Sequence, residues 1–90
     1  MAKAIVDPEE IRIFAQELKR FNLDLEGRMT ALHGRLSALG ETWRDQEHRK
    51  FAQEFEDTLR VLHRFVAVSE QHIPFLLRKA QRAQDYLDQR

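Results

Sequence analysis

The chain has 90 residues, room for one domain, and no cysteine, which excludes disulfides and thiolate chemistry. Fifteen Lys and Arg balance fifteen Asp and Glu, so the cation excess that drives nucleic-acid binding or attraction to an anionic membrane surface is missing. No apolar run approaches the roughly 20 residues a membrane-spanning helix needs, and the opening Met-Ala-Lys-Ala-Ile-Val-Asp-Pro has no apolar core of the signal-peptide kind.

Leu, Ala, Glu, Gln, Lys and Arg dominate, all good helix formers, and no stretch alternates apolar and polar residues as a strand would. The first helix starts at Pro8. Asp7 offers a capping oxygen, Pro8 suits the first helical position, and Glu9 and Glu10 place negative charge at the positive end of the helix dipole. Ile11, Phe14, Leu18, Phe21, Leu25, Met29, Leu32, Leu36 and Leu39 follow at steps of three and four, an amphipathic stripe. Gly40 is the expected C-terminal cap. A helix over 8–39 would be on the order of 50 Å long. Gly27 and Gly34 inside it each cost about 1 kcal/mol relative to alanine. They read either as tolerated imperfections or as a place where another backbone comes close.

A turn over 40–44 leads into a second helix over 45–88. Thr42 and Asp45 resemble a capping box, which would start the helix near Thr42 or Trp43. Ala52, Leu59, Val66, Ile73, Ala80 and Leu87 form one heptad position; Phe55, Leu62, Ser69, Leu76 and Ala83 form the other. Phe51 and Phe65 flank that seam, with Val61, Val68 and Phe75 beyond them. The apolar arc covers about 160°, wider than a two-helix seam uses. One partner helix cannot cover it, so Phe51, Phe65 or Phe75 would stay in water unless two hairpins join into a four-helix bundle. Pro74 removes a donor and clashes with the carbonyl of Glu70, at roughly 3 kcal/mol. It falls on the polar face with the heptad in phase on both sides, which predicts a kink, with a break near His72 as the alternative.

The expected fold is therefore all-α: an antiparallel helical hairpin that pairs as a dimer. Its expected core and dimer interface is Phe14, Leu18, Phe21, Leu25, Phe51, Phe55, Leu59, Leu62, Phe65, Val66, Ile73 and Leu76.

No chemistry-bearing constellation stands out. His33, His48, His63 and His72 include no pair at the spacing that puts two ligands on one helix face. The carboxylates Glu41, Asp45, Glu47, Glu54, Glu56 and Asp57 have no evident pocket to separate their pKa values. There is no phosphate-cradling glycine loop and no nucleophile elbow. The sequence thus predicts a binding protein and no enzyme, with no metal, no cofactor, no nucleic acid and no membrane insertion. Trp43, the single tryptophan, stands at the turn. It reads either as a lid on the end of the core or as part of a recognition surface, where tryptophan combines apolar area with a donor.

About 90 residues, two long helices and a tryptophan in the connecting turn resemble the WXG100 (ESAT-6-like) proteins. The segment Gly40-Glu41-Thr42-Trp43-Arg44-Asp45, with Phe51 and Phe55 opening the second helix, carries the resemblance. Trp43 matches the family motif. Arg44 and Asp45 fill its other two places, with Asp45 where the family has glycine; aspartate tolerates unusual backbone angles better than most residues. The resemblance implies a dimeric four-helix bundle acting by protein–protein binding. It would be a substrate or co-secreted adaptor of a type VII-like secretion system in a bacterium. Its partners would be an FtsK/SpoIIIE-type ATPase or a larger effector, met through Trp43, Arg44 and Asp45. The protein would be cytoplasmic before export and secreted without a cleaved signal peptide. The family's C-terminal Tyr-x-x-x-Asp/Glu signal is not matched, because Tyr86 is followed four places later by Arg90. That points to a partner supplying the signal, or to a divergent branch. A homodimer, as a self-complementary antiparallel pair that the balanced charge and the wide apolar arc permit, is the first expectation and a heterodimer with a related hairpin the second. The alternative reading is a structural or chaperone-like adaptor outside type VII secretion, such as a needle-like or assembly subunit.

Overall fold

The computed structural model describes residues 6–89. Met1–Ile5, most of the opening segment read above for a signal peptide, and Arg90 lie outside the described residues. Two helices, α1 (Pro8–Leu39) and α2 (Gln46–Asp88), fold back on each other as a hairpin 69 Å long and less than 20 Å thick.

Local chemistry sets both starts. The Asp7 carboxylate accepts from the Glu9 N–H at 2.9 Å, and Pro8 opens α1. The second helix is capped by Asp45, whose carboxylate accepts from the His48 N–H at 3.0 Å. Thr42 is not that cap: its hydroxyl turns back to donate to the Leu39 carbonyl. Asp45 is extended, at φ −85° and ψ −178°, and no non-glycine residue among those described has positive φ. Aspartate in this place therefore meets no unusual backbone angle; it is there as an N-cap. Gly40 ends α1 in right-handed geometry (φ −64°), so tolerance of positive φ is not what glycine supplies there.

The seam between the helices differs from the apolar stripe read along α1. On α1 the buried residues are Pro8, Ala15, Asn22, Met29 and Leu36, all in one heptad position. Phe14 and Phe21 lie one residue to the side and are exposed, as are Leu32 and Leu39. On α2 the buried residues are Leu59, Val66, Ser69 and Ala80. Small side chains at Ala15, Ser69 and Ala80 let the helices approach closely, and the rings cannot fit between them.

Asn22 is the largest fully buried side chain. Its amide donates to the Ser69 hydroxyl at 2.7 Å and more weakly to the Glu70 carboxylate at 3.4 Å. Ser69 in turn donates to the Val66 carbonyl at 3.1 Å. The Asn22 carbonyl oxygen is buried without a partner.

Pro74 lies inside α2, which continues unbroken to Asp88; the break near His72 does not occur. Pro74 is exposed while Val66 and Ala80 are buried on either side of it, so the heptad passes through in phase. Water can solvate the Glu70 carbonyl that the ring displaces.

A methyl group at Gly27 or Gly34 would meet nothing within 4 Å. No backbone of the hairpin comes close there. Gly27→Ala and Gly34→Ala should each stabilise the protein by about 0.5–1 kcal/mol in urea unfolding.

Candidate binding surface

Antiparallel pairing gives the hairpin two open sides, and the residues beside the seam make them unlike. One side is polar. His33 and Glu56 meet across the helices at 3.3 Å. With Met29, Thr30, Leu59, Arg60 and His63 they line a shallow groove of about 380 Å³. Arg60 is tied to Asp57 on its own helix. Among the described residues no three His, Cys, Asp or Glu side chains converge closely enough to hold a metal. No helix among them is long and apolar enough to cross a membrane.

The other side is apolar. Phe14, Leu18, Phe65, Val68, Phe75 and Leu76, with Ser69 and His72, line a groove of about 450 Å³. A second hollow continues it toward the open end of the hairpin, lined by Val6, Asp7, Glu10, Ile11, Phe14 and Leu76. Phe21 packs edge-on against Phe65, with ring centroids 6.2 Å apart, and extends the patch toward the turn. Phe14, Phe21 and Phe75 are each more than half exposed, at 58%, 52% and 53%. Contiguous apolar surface of this kind is uncommon on a monomer and usually marks an interaction site.

The residues expected at the core or dimer interface therefore separate into three groups. Leu59 and Val66 are buried in the hairpin. Leu18, Leu25, Phe55, Leu62, Ile73 and Leu76 are half-buried along its seam. Phe14, Phe21, Phe51 and Phe65 are exposed on its apolar flank. The buried Asn22 was missed because an amide in an apolar stripe reads as a surface residue. The signal was there: counting back by sevens from Leu36 and Met29 leads to Asn22 and Ala15.

The turn holds an aromatic cluster. Trp43 is half-buried. Its ring meets His48 edge-on at 4.9 Å and stacks on Phe51 at 6.0 Å, and Phe51 stacks on Phe55 at 5.8 Å. Its backbone N–H donates to the Leu39 carbonyl at 3.0 Å, which ties the main chain at this residue to the end of α1. His48 fills the angle between Trp43 and Gly40, and its Nε2 is buried without a partner. Arg44 and Asp45 are exposed beside this cluster.

The His48 ring also explains Gly40. A Cβ there would sit 3.2 Å from His48 Cε1 and 3.3 Å from the Ser37 carbonyl oxygen. Any side chain would push His48 against Trp43.

Comparison of the chain with protein-family models, with curated proteins and with solved structures finds no match.

Gly40→Ala should destabilise the protein by about 1 kcal/mol, the low end of overpacking costs, in contrast to the outer glycines. In a His48→Ala background most of that cost should vanish. A double-mutant cycle by urea unfolding, with Trp43 fluorescence as the probe, reads the coupling directly.

Proposed function

We propose that this protein works by binding other helices through its apolar side, and that it serves a type VII-like secretion system as a substrate or co-secreted adaptor. The observation that carries the binding half is the exposed aromatic flank of Phe14, Phe21, Phe65 and Phe75 beside a hairpin seam that is already complete. A hairpin whose two helices satisfy each other has no internal use for four large rings in water. A second hairpin laid on this side would turn the structure into a four-helix bundle and remove them from solvent. The resemblance of the turn to the WXG100 motif supports the secretion half. The Trp43 main chain is tied to Leu39 and its ring packs on His48 and Phe51, yet the residue stays partly accessible. Such a rigid, half-exposed tryptophan can contact a secretion ATPase or an effector without having to be ordered first.

Binding here needs no chemistry at the site. The partner helix supplies apolar residues at helical spacing, and burial of the rings stabilises the complex by roughly 25 cal/mol per Å² of apolar area removed from water.

Light scattering coupled to gel filtration, over a tenfold concentration range, should give twice the chain mass. Phe65→Glu should reduce that to the monomer mass, because a carboxylate would be buried against apolar rings. In the native host, Trp43→Ala should lower the amount of protein in the medium at least tenfold while leaving the dimer mass unchanged. A wild-type monomer would sink the dimer. Undiminished export of Trp43→Ala would remove the tryptophan from the mechanism.

A further inference from the structure

On the reading that a partner docks at Trp43, we infer that the indole N–H of Trp43 is the hydrogen-bond donor by which that partner recognises the tip, and that His48 is the positioning residue that keeps this donor free.

Indole has one polar group, the Nε1–H, and it can only donate. Among the described residues two side-chain polar atoms are buried without a partner, Asn22 Oδ1 and His48 Nε2, and Trp43 Nε1 is not one of them. No protein acceptor takes it either. Within residues 40–48 the bonds that involve a side chain run from the Thr42 hydroxyl to the Leu39 carbonyl and from the His48 N–H to the Asp45 carboxylate. A donor that is neither buried nor paired faces water. Other parts of the ring are engaged, stacked on Phe51 at 6.0 Å and met by His48 at 4.9 Å. A partner that covers the half-buried tryptophan strips water from its N–H. It must supply an acceptor in exchange, since a buried donor left unpaired carries the full cost of its desolvation. The fitting partner is therefore a protein surface with an exposed carboxylate or carbonyl oxygen beside an apolar residue, and not an apolar helix face alone.

His48 keeps the donor outward by its shape. It stands in the first turn of α2, where side chains lean back toward the helix start, so its ring enters the cleft between Trp43 and Gly40. A Cβ at Gly40 would lie 3.2 Å from His48 Cε1 and 3.7 Å from Nε2, so the imidazole fills that cleft. The same point is 3.3 Å from the Ser37 carbonyl oxygen, so the cleft opens on the last carbonyls of α1. An indole that swung into the space of the imidazole would reach these acceptors and satisfy its N–H inside the hairpin. The imidazole blocks that movement. Its own Nε2 is buried without a hydrogen bond, an unfavourable placement that hydrogen bonding does not explain and that positioning of the indole does.

The single tryptophan gives one indole proton in the NMR spectrum of the full chain. In the wild type that proton should exchange freely with water. In His48→Ala it should exchange about fivefold more slowly, the protection given by one hydrogen bond of ordinary net strength. Free exchange in both removes His48 from the arrangement, and a protected wild-type proton overturns the proposal as a whole. A second arm places benzothienylalanine at position 43, which keeps the shape of indole and carries sulfur where the N–H was. In the native host the amount of this variant in the medium should fall about tenfold at unchanged dimer mass, because the partner's oxygen is left without a donor. Wild-type export of this variant, where Trp43→Ala is not exported, means recognition by apolar contact alone and overturns the donor while leaving Trp43 as the docking residue. Undiminished export of both removes Trp43 from docking, and the donor with it.

Discussion

The hydrogen bond from Asn22 to Ser69 is the constraint on which the rest of the hairpin depends. Two long apolar-faced helices can slide past each other by a heptad with little change in buried area. A buried amide cannot move with that freedom. One heptad away, its partner on α2 would be Leu62 or Leu76, and its polar atoms would lie in an apolar environment at several kcal/mol. A single polar residue at a core heptad position is the best-attested means of fixing register, at some expense of stability. That expense is visible here as the buried, unpaired Asn22 carbonyl oxygen.

Register then determines everything on the flanks. With Asn22 level with Ser69, the rings of Phe21 and Phe65 meet on one side, while His33 reaches Glu56 on the other. A slip of one heptad would keep each side's heptad positions but part these pairs, leaving Phe21 level with Thr58 or His72. The small residues in the seam act in the same direction. Ala15 and Ala80 contribute little apolar area of their own, and by bringing the backbones together they expel the phenylalanines to the edge. Stability within the hairpin is thus limited by the same packing that creates a surface for another molecule. A 90-residue chain with no disulfide has few other ways to bury enough apolar area.

The helices, their ends and the antiparallel pairing could be read from residue pattern because each has a local cause: Asp7 with Pro8, Gly40, the heptads of α2. The wide apolar arc of α2 was equally legible, and with it the surplus of rings beyond what one partner helix covers. Three features could not be read in advance. Spacing alone gave Phe14 and Phe21 the same standing as Met29 and Leu36; only the docking of α2 decides which heptad position points inward. Thr42 looked the better cap because a threonine followed by an acid matches a known pattern. The chain instead stays with α1 through Trp43, whose N–H still bonds to Leu39, and Asp45 is the first residue free to cap. Gly40 was legible as the cap of α1, but its constraint is the ring of a residue eight positions later, His48, which no local pattern announces.

The turn joins these constraints to function. Trp43 is held by the backbone of α1, by His48 from the first turn of α2, and by Phe51 one turn further on. It can move only if the two helix ends move apart, and the Asn22 register opposes that along the whole seam. Its exposed edge is therefore a fixed feature of the hairpin tip. A partner that docks on this tip meets a tryptophan already in place, with Arg44 and Asp45 exposed beside it, so little ordering of side chains opposes binding.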